Sequence, residues 1–302
     1  MILDARSPRL SELVPPDATV ERLATGFTFV EGPVWHPDGF LRFSDIPEST
    51  RWRWEPGRGA SEDRRPSHKS NGLTYDAALD LIVCEHETST VVRERANGRV
   101  EVVASHFGGR ELNSPNDVIV ARDGSIVFTD PSYGRDGAVH GIERAPELDF
   151  RGVFRVPPGG GEPVLLDRDF VQPNGLCLSP DESILYVNDS KRCLIRAFEV
   201  ASDGSVTGGR TFAEGIFSGD RDDGVTDGMK CDEQGNVWVT GPFGIWVFSP
   251  GGEHLGVVRI PEKAANLSWG GPTWSDLYVT ATTSLYRVSA RVRGARASHM
   301  RD

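Results

Sequence analysis

Residues 116–130 read NDVIVARDGSIVFTD. Two short arms of β-branched and aromatic residues flank a turn at Asp123–Gly124, which is the composition of a tight antiparallel hairpin. An amide, Asn116, opens the phrase and an acid, Asp130, closes it 14 residues later. A hairpin with arms of equal length returns its second end to the level of its first, so opener and endpoint share one edge of the sheet.

The phrase recurs along the chain. Closing arms DGFLRFSD, ALDLIVCE, DGSIVFTD, ESILYVND, QGNVWVTG and WSDLYVTA end at Asp45, Glu85, Asp130, Asp189, Gly241 and Ala281. Their openers are Glu31, Asn71, Asn116, Asn174, Asp227 and Asn266, at separations of 14 or 15 residues throughout. Successive endpoints lie 40, 45, 59, 52 and 40 residues apart. Four short strands with their turns need roughly 40–50 residues, the length of a propeller blade. The repeat therefore predicts an all-β, six-bladed β-propeller over residues 19–290. An N-terminal extension (1–18) precedes it and a basic C-terminal tail (291–302) follows. Closure is expected from a strand near Thr19–Thr28 pairing with the last blade, because closure hides sheet edges.

Composition narrows the function. The formal net charge of -11, from 44 acidic and 33 basic residues, repels phosphate backbones and anionic lipid, so nucleic acid and membrane are not expected partners. No apolar run reaches the length of a membrane span, and residues 1–16 lack a signal-peptide core, which predicts a soluble, cytoplasmic protein. Cys84, Cys177, Cys193 and Cys231 are scattered and suit buried, reduced thiols. Oligomeric state is not encoded in any pattern found.

If the innermost strands carry the openers, six of them ring one mouth of the central channel. Glu31, Asn116, Asn174 and Asp227 then form a set of two carboxylates and two amides without His or Cys. Hard oxygen donors of this kind select calcium, magnesium or manganese over zinc. One divalent metal ion is expected, calcium favoured because a rigid mouth offers oxygens at adjustable distance, with Mg2+, Mn2+ and Fe2+ as alternatives. Such an ion polarises a carbonyl and acidifies water, and ester or lactone hydrolysis follows. Asp227 is the first choice for general base, Asp189 and Asp130 the second. Asn71, Asn116, Asp130, Tyr133, Asp189 and Asn266 are expected to contact a small-molecule substrate.

Residues 132–151, SYGRDGAVHGIERAPELDFR, form an insertion on the same face and suggest a lid, with Tyr133, Arg135, His140 and Arg144 weighed as contacts. His68 and His86 flank the blade-two motif. GDRDDG at 219–224 lacks the ligand spacing of an EF-hand and reads as a connector. Trp35, Trp238, Trp246 and Trp269 read as packing between blades.

With EGPVW at 31–35, SPND at 114–117, PNGL at 173–176 and TDGM at 226–229, the chain resembles the regucalcin, gluconolactonase and luciferin-regenerating enzyme family from about Thr19 to Val288. NSPNDVIVARDGSIVFTDPSYG at 113–134 is closest to its bacterial gluconolactonase branch. The resemblance implies a metal-dependent six-bladed propeller and a lactonase. It implies Glu31, Asn174 and Asp227 as metal ligands, Asn116 as a contact to metal, substrate or both, and Asp227 as base. Ser114 stands where the animal sugar lactonases carry Arg, so their sugar contacts do not transfer. Phosphotriester hydrolysis at the same metal and non-catalytic calcium binding are the alternative functions.

Overall fold

The computed structural model describes residues 2–137 and 139–301. Six antiparallel sheets succeed one another along the chain. Their innermost strands are Val30–His36, Ser70–Tyr75, Val118–Val120, Pro173–Leu178, Met229–Cys231 and Ala264–Gly270. Each touches the innermost strand of the next blade, and the last touches the first, which closes the ring. Packed on both faces by neighbouring blades, Val30–His36 and Ala264–Gly270 are buried at every residue.

The core lies between blades. Cys177, Tyr186, Ile195 and Phe212 of blade four mesh with Met229, Val237 and Val239 of blade five, and Trp35 of blade one stacks on Tyr278 of blade six at 4.9 Å. Trp238 and Trp269 meet edge-on across the fifth junction at 5.2 Å, so three of the tryptophans read as packing do serve the blade interfaces. Trp246 stacks on His254 within blade five. All four cysteines are buried and free. No helix among the described residues is long and apolar enough to cross a membrane.

Closure follows the expected route. Glu21–Thr25 forms the outermost strand of blade six, paired with Ser284–Ser289. Residues on either side of the propeller pack onto it. Leu3–Ala5 adds a fifth strand to blade five along His254–Arg259, and the short helix Arg9–Leu13 buries Leu10 and Leu13 against Trp238, Leu255 and Leu277. After residue 290 the tail crosses the channel mouth opposite the openers: Gly294 bridges Asp232, and the His299 ring lies 5.7 Å from both Tyr75 and Trp274. A cavity lined by Val34, Leu73, Val120, Cys177 and Cys231 is roofed by Ala297 and Met300. Single anchors at Val292 and His299, rather than a periodic face, hold this strap, and the sequence therefore carries no signature of it.

Candidate active site

The openers meet at one mouth because of three local devices. The first is a β-bulge. Pairing with the second strand shifts register between Glu31 and Val34, Ser70 and Leu73, Pro173 and Leu176, and Ala264 and Asn266. In blades three and five pairing starts only beyond Asn116 and Asp227. An unpaired residue at a bulge is free to turn its side chain along the channel axis rather than into the sheet.

The second device is a glycine after the opener. A Cβ on Gly32 would fall on the Asn71 carbonyl, on Gly72 at 2.6 Å from the Asn116 carbonyl, on Gly175 against the Asp227 carbonyl, and on Gly228 against the Asn266 side chain. Hydrogen bonds from Gly72 N to Asn116 O (2.8 Å) and from Gly175 N to Asp227 O (3.2 Å) use that approach. Asn71, Asn116, Asp227 and Asn266 are thus each seated on the glycine of the preceding blade.

The third device explains the 14–15 residue spacing. Asp45 accepts the N–H groups of Thr28 and Phe29 at 3.0 and 3.1 Å. Asp130 accepts Asn113 N at 2.8 Å and Asn113 Nδ2 at 3.1 Å. Asp189 accepts Val171, Gln172, Lys191 and Arg192 N–H at 2.7 to 3.2 Å. Each acid fastens the loop that delivers its own opener. Asp130 and Asp189, expected on sequence as substrate contacts and reserve bases, are fully buried behind the ring, where each accepts N–H groups from its own loop.

Within the ring the six openers form two linked groups. The Asn116 amide lies 2.6 Å from that of Asn71 and 2.6 Å from that of Asn174. Asn174 Nδ2 donates to Ser190 Oγ at 3.1 Å. On the other side, Asn266 Nδ2 and Gly32 N donate to Glu31 Oε2 at 2.9 and 2.7 Å. Asn71 and Asn266 therefore brace neighbouring members of the ring. Asp227 joins the two groups: its carboxylate is hydrogen-bonded to Asn174 and sits in the field of Glu31.

Burial raises Glu31 to about 7, with Asp117 adding to the shift, and the Gly32 and Asn266 hydrogen bonds hold it back. Burial, Glu31 and Asp117 together push Asp227 well above the usual carboxylate range. Two desolvated carboxylates facing each other cost free energy unless protonated or paired with a cation. Lys230 lies 3.9 Å from Asp117 and makes no ion pair with Glu31 or Asp227 among the described residues. The donor set of Glu31, Asp227 and the Asn116 and Asn174 amides thus fits a hard divalent cation; no group of three His, Cys, Asp or Glu suited to a metal occurs among the described residues.

The insertion reaches the ring through Tyr133, whose hydroxyl meets Ser190 and Asn174 and whose pKa burial pushes up. Ser114 explains how. Its Oγ donates to Pro131 O at 2.7 Å and accepts Gly134 N at 2.9 Å, pinning the insertion at the place where the animal lactonases carry Arg. Arg135 is buried and committed to Asn113 O (2.6 Å), Ala145 O (2.9 Å) and Glu111 (2.6 Å), and Arg144 to Ser89 Oγ (2.6 Å). His140 packs its ring on Phe29. Of the four insertion residues weighed, only Tyr133 meets the ring. His68 sits at the surface near Glu87, whereas His86 is buried beside Asn71 and Asn116, and burial lowers its pKa to about 4. Residues 219–224 act as a connector, with Arg221 donating to Ser190 O and Lys191 O. The sequence reading passed over Asp117, Ser190 and Lys230, since none of them stands at an opener or endpoint of the repeat.

A family model described as SMP-30/Gluconolactonase/LRE-like region matches residues 29–283. A gluconolactonase of Zymomonas mobilis subsp. mobilis is 31% identical, covering 95% of this chain and 86% of that one. A solved gluconolactonase from Xanthomonas campestris is similar with a TM-score of 0.87 at 31% identity, over 95% of this chain and 94% of that one. Another solved structure, described as a candidate gluconolactonase, reaches a TM-score of 0.90 at 35% identity, over 97% and 99% of the two chains.

Proposed function

The chain belongs to the SMP-30/gluconolactonase/LRE-like family, and from that premise we propose that it opens small lactones, sugar lactones or related cyclic esters, at a single divalent metal ion held by Glu31, Asn116, Asn174 and Asp227. The observation that carries this reading is the convergence of the buried Glu31 carboxylate, the half-buried Asp227 carboxylate and two buried amides at one channel mouth. Calcium suits the set best, since magnesium demands a tighter octahedron than a ring of four side chains from separate blades provides. The free, buried state of all four thiols supports a reducing, cytoplasmic location.

When bound, the cation supplies a Lewis acid for the lactone carbonyl and lowers the pKa of water. The protein supplies the rest. Asn266 and Gly32 N–H steady Glu31. Ser190 and Tyr133 steady Asn174. Asp227, whose carboxylate is driven toward the proton by burial and by Glu31, takes a proton from the attacking water and returns it to the ring oxygen as the C–O bond breaks. Tyr133 places a hydroxyl at the mouth, where a substrate hydroxyl can be read.

A pH-indicator hydrolysis screen tests the proposal. Sugar lactones, aliphatic lactones and a fluorophosphate are each offered with chelator and with added calcium, magnesium or manganese. Turnover of a lactone, lost with chelator and restored by metal, is the expected result. Preferred turnover of the fluorophosphate would reassign the site to phosphotriester hydrolysis, and metal binding without turnover of any ester would leave only the calcium-binding alternative.

A further inference from the structure

The hydrogen-bond chain through the ring ends at both sides on a backbone carbonyl, and a carbonyl can only accept. At one end, His86 Nδ1 lies 2.9 Å from His140 O in the insertion, so that nitrogen carries the proton. The ring is buried, and no carboxylate among the described residues is within hydrogen-bonding distance of it to pair with a second ring proton. Nε2 is then a lone-pair acceptor. It lies 3.1 Å from the Asn116 side chain and 3.3 Å from that of Asn71.

At the other end, Ser190 Oγ lies 2.5 Å from Thr226 O and must donate to it. The same oxygen therefore accepts from Asn174 Nδ2, and Asn174 Oδ1 points back at Asn116. With Asn116 Oδ1 turned toward Asn71 and His86, as in the structure, two acceptors face each other at 3.1 Å. Amide oxygen and nitrogen are told apart only by such partners. Half a turn of the Asn116 amide, followed by that of Asn71, replaces the long 3.3 Å contact from Asn71 Nδ2 to Nε2 with a donor at 3.1 Å and brings Asn116 Oδ1 opposite Asn174 Oδ1. Two amide oxygens so opposed repel each other, and a divalent cation coordinated by both relieves the repulsion.

We propose that His86 and Ser190 are positioning residues that fix the Asn116 and Asn174 amides with both oxygens toward the cation, and that the insertion acts on Asn116 through the His140 carbonyl, separately from the contact Tyr133 makes with Asn174. The inference rests on the reading of Asn116 and Asn174 as ligands. It also gives the insertion a task distinct from covering the mouth. Three of its residues are seated for it: Gly134 packs on the His86 Cβ with no room for a side chain, Ile142 N bonds to Gly134 O at 2.9 Å, and Lys69 Nζ holds Val139 O at 3.0 Å.

Two measurements on the full chain test it. The first is 15N NMR of the histidine rings in metal-free protein, with His86→Gln as the assignment control. A protonated Nδ1 with an unprotonated Nε2 is expected, and a proton on Nε2, or on both nitrogens, overturns the relay. The second is calcium calorimetry on the wild type, His86→Leu and Ser190→Ala. Outer partners of metal ligands are worth about 10–100-fold in affinity, so each variant should bind calcium at least about 10-fold more weakly. Wild-type affinity in both variants overturns the proposal. Should His86→Leu fail to fold, Ser190→Ala and the tautomer decide it. A wild type that binds no divalent cation defeats the metal reading of the preceding section instead, while the NMR result still judges the relay.

Discussion

Asp227 carries two demands that a single substitution separates. As a ligand it needs an oxygen, and as a base it needs a site for a proton. Asp227→Asn keeps one oxygen and loses the proton site, so calcium should remain bound by calorimetry while lactone turnover falls by about 100-fold or more. Near-normal turnover with metal retained would move the base elsewhere, and Asp117, buried nearby with no hydrogen bond to its Oδ2, would be next to examine. Asp189 makes the opposite case. Its carboxylate accepts four backbone N–H groups and touches no opener. Asp189→Asn should lower unfolding free energy by about 1–3 kcal/mol in a denaturant titration, through donors left unpaired in the interior. Loss of turnover in a fully folded Asp189→Asn protein, with calcium affinity unchanged, would restore it to the site. In sequence Asp227 opens a repeat and Asp189 closes one, and the hairpin brings both to one edge of the sheet; only the direction of the side chain shows that Asp189 turns to the backbone.

At the scale of the element, the hairpin phrase proves to be a mounting. The bulge turns the opener into the channel, the endpoint acid ties down the loop before it, and the glycine after it admits the next blade. Gly175 needs no left-handed backbone, so the cost of a side chain there is contact alone. Gly175→Ala would drive a methyl group against the Asp227 carbonyl, which Asn188 Nδ2 also holds at 2.5 Å. Displacing that carbonyl should cost about 1–3 kcal/mol of stability and weaken calcium binding. Gly124→Ala meets nothing within 4 Å and costs only the strain of φ +89°, so calcium affinity should not change. Calorimetry on the pair separates crowding at the ring from turn strain. The openers and their spacing were legible in the sequence because a hairpin has one fixed period. The amide order within the ring was not, since it depends on carbonyls at His140 and Thr226, remote in the chain from the Asn116 and Asn174 amides they order.

At the scale of the molecule, the ring is closed by Glu21–Thr25 and its far mouth is strapped by the tail. His299 gives that strap a pH dependence. Burial lowers its ring to about 4, with His36 adding to the shift, whereas a released tail would titrate near its ordinary value of about 6.5. Between these values the released form binds more protons than the docked form. Docking should therefore weaken as pH falls from about 6.5 toward 4 and stay constant, as far as His299 is concerned, above 6.5. Hydrogen exchange of residues 292–300, corrected for intrinsic rates, should show less protection at pH 5 than at pH 7. His299→Phe should remove most of the difference, leaving the share of His36, which faces the same contact and is also shifted down. Equal pH sensitivity in the His299→Phe protein would assign the effect to other groups.

Six repeats of a phrase with a constant internal period determine a propeller, because short strands of that spacing hide their edges only by closing into a ring, and the polar residue heading each repeat then falls at one mouth. That much follows from local pattern, and the ring of Glu31, Asn71, Asn116, Asn174, Asp227 and Asn266 was readable from it. What each polar group does was decided in three dimensions. Asp130 and Asp189 turn to backbone donors, Ser114 admits an insertion, Tyr133 and His86 arrive from segments without repeat character, and the tail becomes a strap. Hydrogen bonds act over about 3 Å and take their direction from partners that are remote in sequence, so a one-dimensional period places a side chain at the mouth without saying which partner it will face there.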